Sequence, residues 1–277
     1  MNRFRWAIMA GTAALLAAGG ALAAVPEPWG LGFQPAVTPI ARESHLFHDQ
    51  ILLPLITLIT LFVLGLLIYV CVRFNKKANP TPSATTHNTM IEVIWTAVPV
   101  IILVLIAIPS FRLLYNSDRI EDADMTIKII GNQWYWTYEY PDHGDLTFDA
   151  NLLEGADLTE GKLRQLSTDN ALVLPVDTNI RLLFTARDVL HSWAMPAFSI
   201  KMDTVPGRIN ETWVRVEKEG IYYGQCSEIC GVRHAYMPSE VHVVSQEAYQ
   251  AWVAEAQQRF ASVGGPGTSV AALPDAR

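Results

Sequence analysis

The run "ILLPLITLITLFVLGLLIYVCV", residues 51–72, holds 22 residues and no charge. A helix rising about 1.5 Å per residue crosses a hydrocarbon core roughly 30 Å thick over such a length. A second apolar run, "VIWTAVPVIILVLIAIPSF", covers residues 93–111 and contains Pro99 and Pro109; membrane helices tolerate proline better than soluble ones do. Between the runs lies a short loop with Arg73, Lys76 and Lys77 beside the first run and a single acid, Glu92, at the foot of the second. A basic loop of this kind stays on the cytoplasmic side, so both outer ends of the hairpin lie outside. The N-terminus agrees: Arg3 and Arg5, an uncharged stretch and small residues at Ala21, Ala23 and Ala24 form a secretory signal-peptide pattern over residues 1–24. The expected layout is an external segment at 25–48 and a hairpin at 49–115, with helices near 50–72 and 92–115 and the cytoplasmic loop at 73–91. An external domain at 116–260 and a disordered tail at 261–277 complete it. The domain is expected to be periplasmic or otherwise external.

From residue 116 to 260 there are 22 Asp and Glu against 12 Lys and Arg. That balance excludes a nucleic-acid surface and favours encounter with a basic partner. Runs rich in β-branched and aromatic residues at 125–140, 172–186, 209–217 and 239–244, separated by Pro, Gly, Asp and Asn, predict an all-β sandwich or barrel. A closing helix is expected at 246–260, capped by Ser245, with Ala248, Trp252, Val253 and Ala256 on one face.

Two of the three cysteines fall in "YYGQCSEICGVRHAYMP", residues 222–238, spaced Cys226-x3-Cys230-x3-His234-x2-Met237. In an exported domain two cysteines first suggest a disulfide. A disulfide has no use for His234, for Met237, or for His191 at the end of a predicted strand. Imidazole, thiolate and thioether together suit copper rather than calcium or magnesium, and zinc has little use for methionine. A single blue copper takes two His, one Cys and a weak axial Met, which leaves one thiolate too many. Side by side, both thiolates can bridge two metals, with His191 and His234 capping one each, Met237 a weak ligand to one and the Glu228 carbonyl filling the remaining place. Two bridging sulfurs let one electron be shared, so neither metal carries the whole change of charge. Cys71, in the first apolar run, reads as a small apolar residue. His45, His48, His87, His143 and His242 show no ligand spacing, and nothing around Cys226 or Cys230 activates a nucleophile.

These segments, in order with "GNQWYWTYEYP" (131–141), "DVLHSWAMP" (188–196) and "PGRINE" (206–211), resemble cytochrome c oxidase subunit 2 in its bacterial form, from about residue 30 to 260. The resemblance implies a cupredoxin-like Greek-key barrel behind a two-helix transmembrane hairpin. It implies a dinuclear CuA centre on His191, Cys226, the Glu228 carbonyl, Cys230, His234 and Met237, with the Glu228 side chain binding magnesium or manganese at the subunit 1 interface. Trp134 matches the tryptophan over the copper site at which cytochrome c docks. Glu139, Asp145, Asp149, Asp169 and Asp188 match docking carboxylates, each of which alone reads as a solvated charge. Glu92 matches the mouth of the K proton channel of subunit 1; an acid at a membrane helix end is also at home in the interface. The implied partners are subunit 1, which carries the haems, subunit 3, cytochrome c and the lipid bilayer. Electrons would pass from cytochrome c to subunit 1, where oxygen becomes water and protons are pumped. The alternatives are a membrane-tethered copper-delivery module and a quinol oxidase subunit 2, a branch without the copper ligands.

Overall fold

The structure, a computed structural model, describes residues 24–118, 122–144 and 146–260. Most of the signal-peptide pattern, Asp145 and the tail at 261–277 lie outside these. Two compact units divide the chain, one built on residues 39–120 and the other on the flanking segments.

The first unit is helical. Helix α1 (Pro39–Phe47) runs through one π-helical turn (His48–Leu52) into α2 (Leu53–Arg73); α3 (Thr89–Asp118) contains both internal prolines. Neither α2 nor α3 buries a residue. Helices apolar on every side that bury no residue of their own have hydrocarbon or partner helices over most of their surface. Three threonine hydroxyls are satisfied within the helices: Thr57, Thr60 and Thr96 donate to the carbonyls of Leu53, Ile56 and Glu92 at 2.7, 2.7 and 2.8 Å. The start of α3 is capped reciprocally. Asn88 Oδ1 accepts the Ile91 N–H at 3.2 Å, and Glu92 Oε1 accepts the Asn88 N–H at 3.1 Å. Glu92 therefore stabilises its own helix end, where negative charge also favours the helix dipole.

The second unit is a β-sandwich. One sheet has the order β3-β2-β1-β5-β8 and the other β4-β10-β9-β6-β7. The strands are β1 (Met125–Asn132), β2 (Tyr135–Tyr140), β3 (Leu146–Ala150), β4 (Leu172–Pro175), β5 (Ile180–Ala186), β6 (His191–Met195), β7 (Ile200–Thr204), β8 (Asn210–Val214), β9 (Gly220–Cys226) and β10 (Pro238–Val244). Pairing is antiparallel except β1 with β5 and β4 with β10. The β-rich run at 125–140 folds as a hairpin, turned at Gln133–Trp134. Trp136, Tyr138 and Tyr140 face the core at 0% exposure, while Trp134 stands outside the strand. The run at 172–186 likewise splits, its halves lying in different sheets.

The core joins Ile127, Ile129, Trp136, Tyr138, Leu182 and Phe184 of one sheet to Trp193, Tyr222 and Val241 of the other. Helix α4 (Gln246–Phe260) begins where Ser245 Oγ accepts the Ala248 N–H at 3.2 Å. It buries Tyr249, Val253 and Ala256 and lays Phe260 on Phe148 with ring centroids 4.8 Å apart. The segment before α1 is also part of the domain. Val37 is buried, donates to the Ala197 carbonyl and accepts from the Glu217 N–H.

Candidate metal centre

Three connections meet at the site. β9 ends at Cys226, and β10 begins at Pro238, just after Met237. The loop between them is closed by the Cys226 N–H donating to the Met237 carbonyl at 3.3 Å, and tied to β6 by the Ser227 N–H donating to the Ser192 carbonyl at 2.9 Å. Within it, a short 3-10 turn at His234–Tyr236 turns His234 back towards the cysteines. Strand β6 brings His191 alongside, since Trp193 pairs with Cys226. The β1–β2 turn supplies the cover.

The donor atoms converge. The sulfurs of Cys226 and Cys230 are 3.8 Å apart, nearly twice the roughly 2.05 Å of a disulfide bond, and both thiols are free. Cys226 Sγ lies 3.4 Å from the Glu228 carbonyl oxygen and 4.0 Å from His191 Nδ1. Cys230 Sγ lies 3.6 Å from His234 Nδ1 and 3.5 Å from Met237 Sδ. His191 is fully buried, Cys226, Cys230 and Met237 nearly so, and His234 is half-buried.

The two thiols differ in acidity. Burial raises the pKa of Cys226, but hydrogen bonding with His191, with backbone groups at Ser192 and Glu228, and with His234 outweighs burial and brings the pKa down. Burial, and then the charge on Cys226, push Cys230 up. Two thiolates at this separation repel by roughly 4 kcal/mol at an effective dielectric of about 20, so the pair ionises fully only with cations beside it. Soft sulfur and imidazole donors around such a pair fit copper.

Backbone carbonyls of the ligand loop are held from outside. Trp136 Nε1 donates to the Met237 carbonyl at 3.3 Å. Gln133 Nε2 and Trp134 Nε1 donate to the Cys230 carbonyl at 2.7 and 3.2 Å. Gly231, at φ 121°, makes this possible: a Cβ there would come within 3.0 Å of the Trp134 ring. Neither Gln133 nor Gly231 stands out in the sequence; Gln133's only signal is its place beside Trp134.

The four described docking carboxylates all have partners. Glu139 pairs with Lys128 at 2.9 Å, Asp149 accepts from Thr137 Oγ1 at 2.6 Å, and Asp169 accepts from the backbone N–H groups of Asn151 and Asn170, both at 2.7 Å. Asp188 accepts from His191 Nε2 at 2.8 Å. Glu92 belongs to the helical unit, and the Glu228 side chain belongs to no donor cluster among the described residues.

Comparison with known proteins gives this geometry its setting. Residues 125–244 match the family model "Cytochrome C oxidase subunit II, periplasmic domain" and residues 26–113 the model "Cytochrome C oxidase subunit II, transmembrane domain". The chain is 52% identical over 232 residues to the probable cytochrome c oxidase subunit 2 of Rickettsia bellii, covering 84% of this chain and 86% of that one. It is 50% identical over 239 residues to cytochrome c oxidase subunit 2 of Oenothera berteroana, covering 84% and 92%. The crystal structure of the periplasmic domain of subunit II of cytochrome oxidase from Bradyrhizobium japonicum is 45% identical, covers 51% of this chain and 99% of that one, and superposes with a TM-score of 0.48. With a membrane hairpin, a cupredoxin-like sandwich and paired cysteines in a His/Met loop, the chain belongs to the cytochrome c oxidase subunit II family.

Proposed function

We propose that this chain is the electron-accepting subunit of its oxidase, taking electrons from reduced cytochrome c on the periplasmic face of a bacterial inner membrane. His191, Cys226, the Glu228 carbonyl, Cys230, His234 and Met237 would hold a dinuclear CuA centre. The observation that carries this reading is the convergence of four donors on two sulfurs 3.8 Å apart. When bound, the copper pair supplies a one-electron carrier with its charge spread over two metals. The protein's own part is to keep both thiolates dry, to present Nδ1 of both histidines to the sulfurs, and to hold the ligand loop rigid through Gln133, Trp134 and Trp136. Rigid donors have little to rearrange when the charge changes. Burial of most of the donors weighs against a copper-delivery role, which needs accessible ligands.

Trp134, half-buried with its N–H on the Cys230 carbonyl, offers an aromatic route from the surface to a sulfur ligand's backbone, and is the proposed point of electron uptake. The acidic balance of residues 116–260, with Glu139, Asp145, Asp149 and Asp169 as docking carboxylates, would attract a basic cytochrome c. Electrons would pass to the haem centres of subunit 1, where oxygen is reduced to water with proton pumping, subunit 3 completing the core. Glu92 would stand at the mouth of the K proton channel. A magnesium or manganese ion on the Glu228 side chain would take its other ligands from subunit 1.

Rapid mixing of reduced cytochrome c with the purified oxidase tests the reading. Cys226→Ser should abolish fast electron uptake while the haems of subunit 1 still accept electrons from a small reductant. Trp134→Leu should slow uptake with copper retained. Uptake at the normal rate in Cys226→Ser contradicts the proposed centre.

A further inference from the structure

Asp188 is engaged on both carboxylate oxygens. Oδ1 accepts from His191 Nε2 at 2.8 Å and from the Val189 N–H at 2.7 Å; Oδ2 accepts the Gln133 N–H at 2.7 Å. Burial raises this carboxyl, but the hydrogen bonds from His191, Val189 and Gln133 outweigh burial and hold it below the usual carboxylate range. A side chain only 32% exposed, with three donors already on it, has little capacity left for a cationic partner.

The histidine it holds has two distinct nitrogens. A carboxylate can only accept, so the bond at Nε2 places the ring proton there and leaves the Nδ1 lone pair facing Cys226, 4.0 Å away. The ring is walled in by Gly131, whose added Cβ would lie 2.7 Å from His191 Cδ2, and by the edge-on Trp136 ring. On its other side Asp188 holds the backbone of Gln133. That residue and Trp134 both donate to the Cys230 carbonyl. One carboxylate thus joins the first residue of β6, the β1–β2 turn and, through that turn, the cysteine loop.

We propose that Asp188 is a positioning residue: one oxygen fixes the His191 imidazole with Nδ1 towards the sulfurs, and the other seats the Gln133–Trp134 turn over the cysteine loop. The ligand and its aromatic cover are thereby set by a single group, so geometry at the metal and electron uptake through Trp134 are coupled. The proposal rests on the reading of this site as a copper centre.

The test compares Asp188→Asn and Asp188→Ala in the intact oxidase. Asparagine keeps one acceptor for His191 and loses the second; alanine loses both. Resistance of the copper to a chelator should fall by about 10- to 100-fold in Asp188→Ala and less in Asp188→Asn, as expected for partners of metal-bound histidines. The copper EPR and visible spectra should shift in the same order. The maximal rate at saturating cytochrome c should drop. If both variants instead raise KM equally, with spectra and chelator resistance unchanged, Asp188 is a docking charge and the proposal is overturned. Should the alanine variant fail to assemble, unchanged spectra and chelator resistance in Asp188→Asn alone overturn it. The wild-type signal separates the two readings: its absence overturns the copper reading and this proposal together, whereas its presence unchanged in both variants overturns only the proposal.

Discussion

Gly131 leaves no room for even one methyl group. A Cβ at this strand position would stand 2.7 Å from His191 Cδ2 and 2.8 Å from Thr204 Oγ1, both on buried residues. Gly131→Ala should therefore destabilise the domain by about 1–3 kcal/mol through overpacking, and lower its copper content by displacing the histidine. Denaturant unfolding with metal analysis checks both; a fully loaded, equally stable variant would show that the strand yields. The six converging donors stood out in the sequence because chemistry restricts them: few residue types serve a soft metal, and five of the six share one short loop. Their supports did not. Asp188 and Gln133 are ordinary surface types 55 residues apart, and only the pairing of β1 with β5 brings them together. For Asp188 the sequence displays the charge and hides the hydrogen bonds.

Among the elements, the long connection between β3 and β4 is held by a buried carboxylate that the sequence did not single out. Glu240 of β10, 1% exposed, accepts the Thr168 N–H at 2.7 Å, meets His242 Nε2 at 2.8 Å and pairs with Lys162 at 3.3 Å. Burial raises its carboxyl, but His242, the Thr168 N–H and the Lys162 charge outweigh that and lower it. A carboxyl depressed in the fold stabilises above its unfolded value, about 4.3, and loses that contribution as pH falls through the folded value. Glu240→Gln should therefore cost roughly 1–3 kcal/mol near neutral pH, and the gap to wild type should close below about pH 4. Unfolding curves across that range decide it; a gap independent of pH would mean that the charge contributes nothing. Element boundaries were less legible than element types. The aromatic run at 134–140 concealed the turn at Gln133–Trp134, and helix α1 carries too mixed a composition to announce that it continues into α2.

For the whole molecule, the two-part plan was legible because its signals are large: two apolar runs, a basic loop, then short punctuated strands. The mixed strand order was not, since parallel pairs such as β1 with β5 join segments with no local mark of their partnership. The acidic balance of residues 116–260 acts at this scale. Electron uptake from a basic cytochrome c should slow as salt rises, because the screening length shrinks from about 30 Å at 0.01 M to about 8 Å at 0.15 M. A rate flat across that range, measured by rapid mixing, would leave the acidic face without a steering role. The central claim is that two cysteines, two histidines, a methionine and a carbonyl hold a pair of coppers sharing one electron. EPR of the oxidised, copper-loaded protein tests it most directly. The expected spectrum has the hyperfine pattern of one electron spread equally over two copper nuclei, and it disappears in Cys226→Ser. The pattern of a single copper nucleus in the wild-type protein would contradict the account.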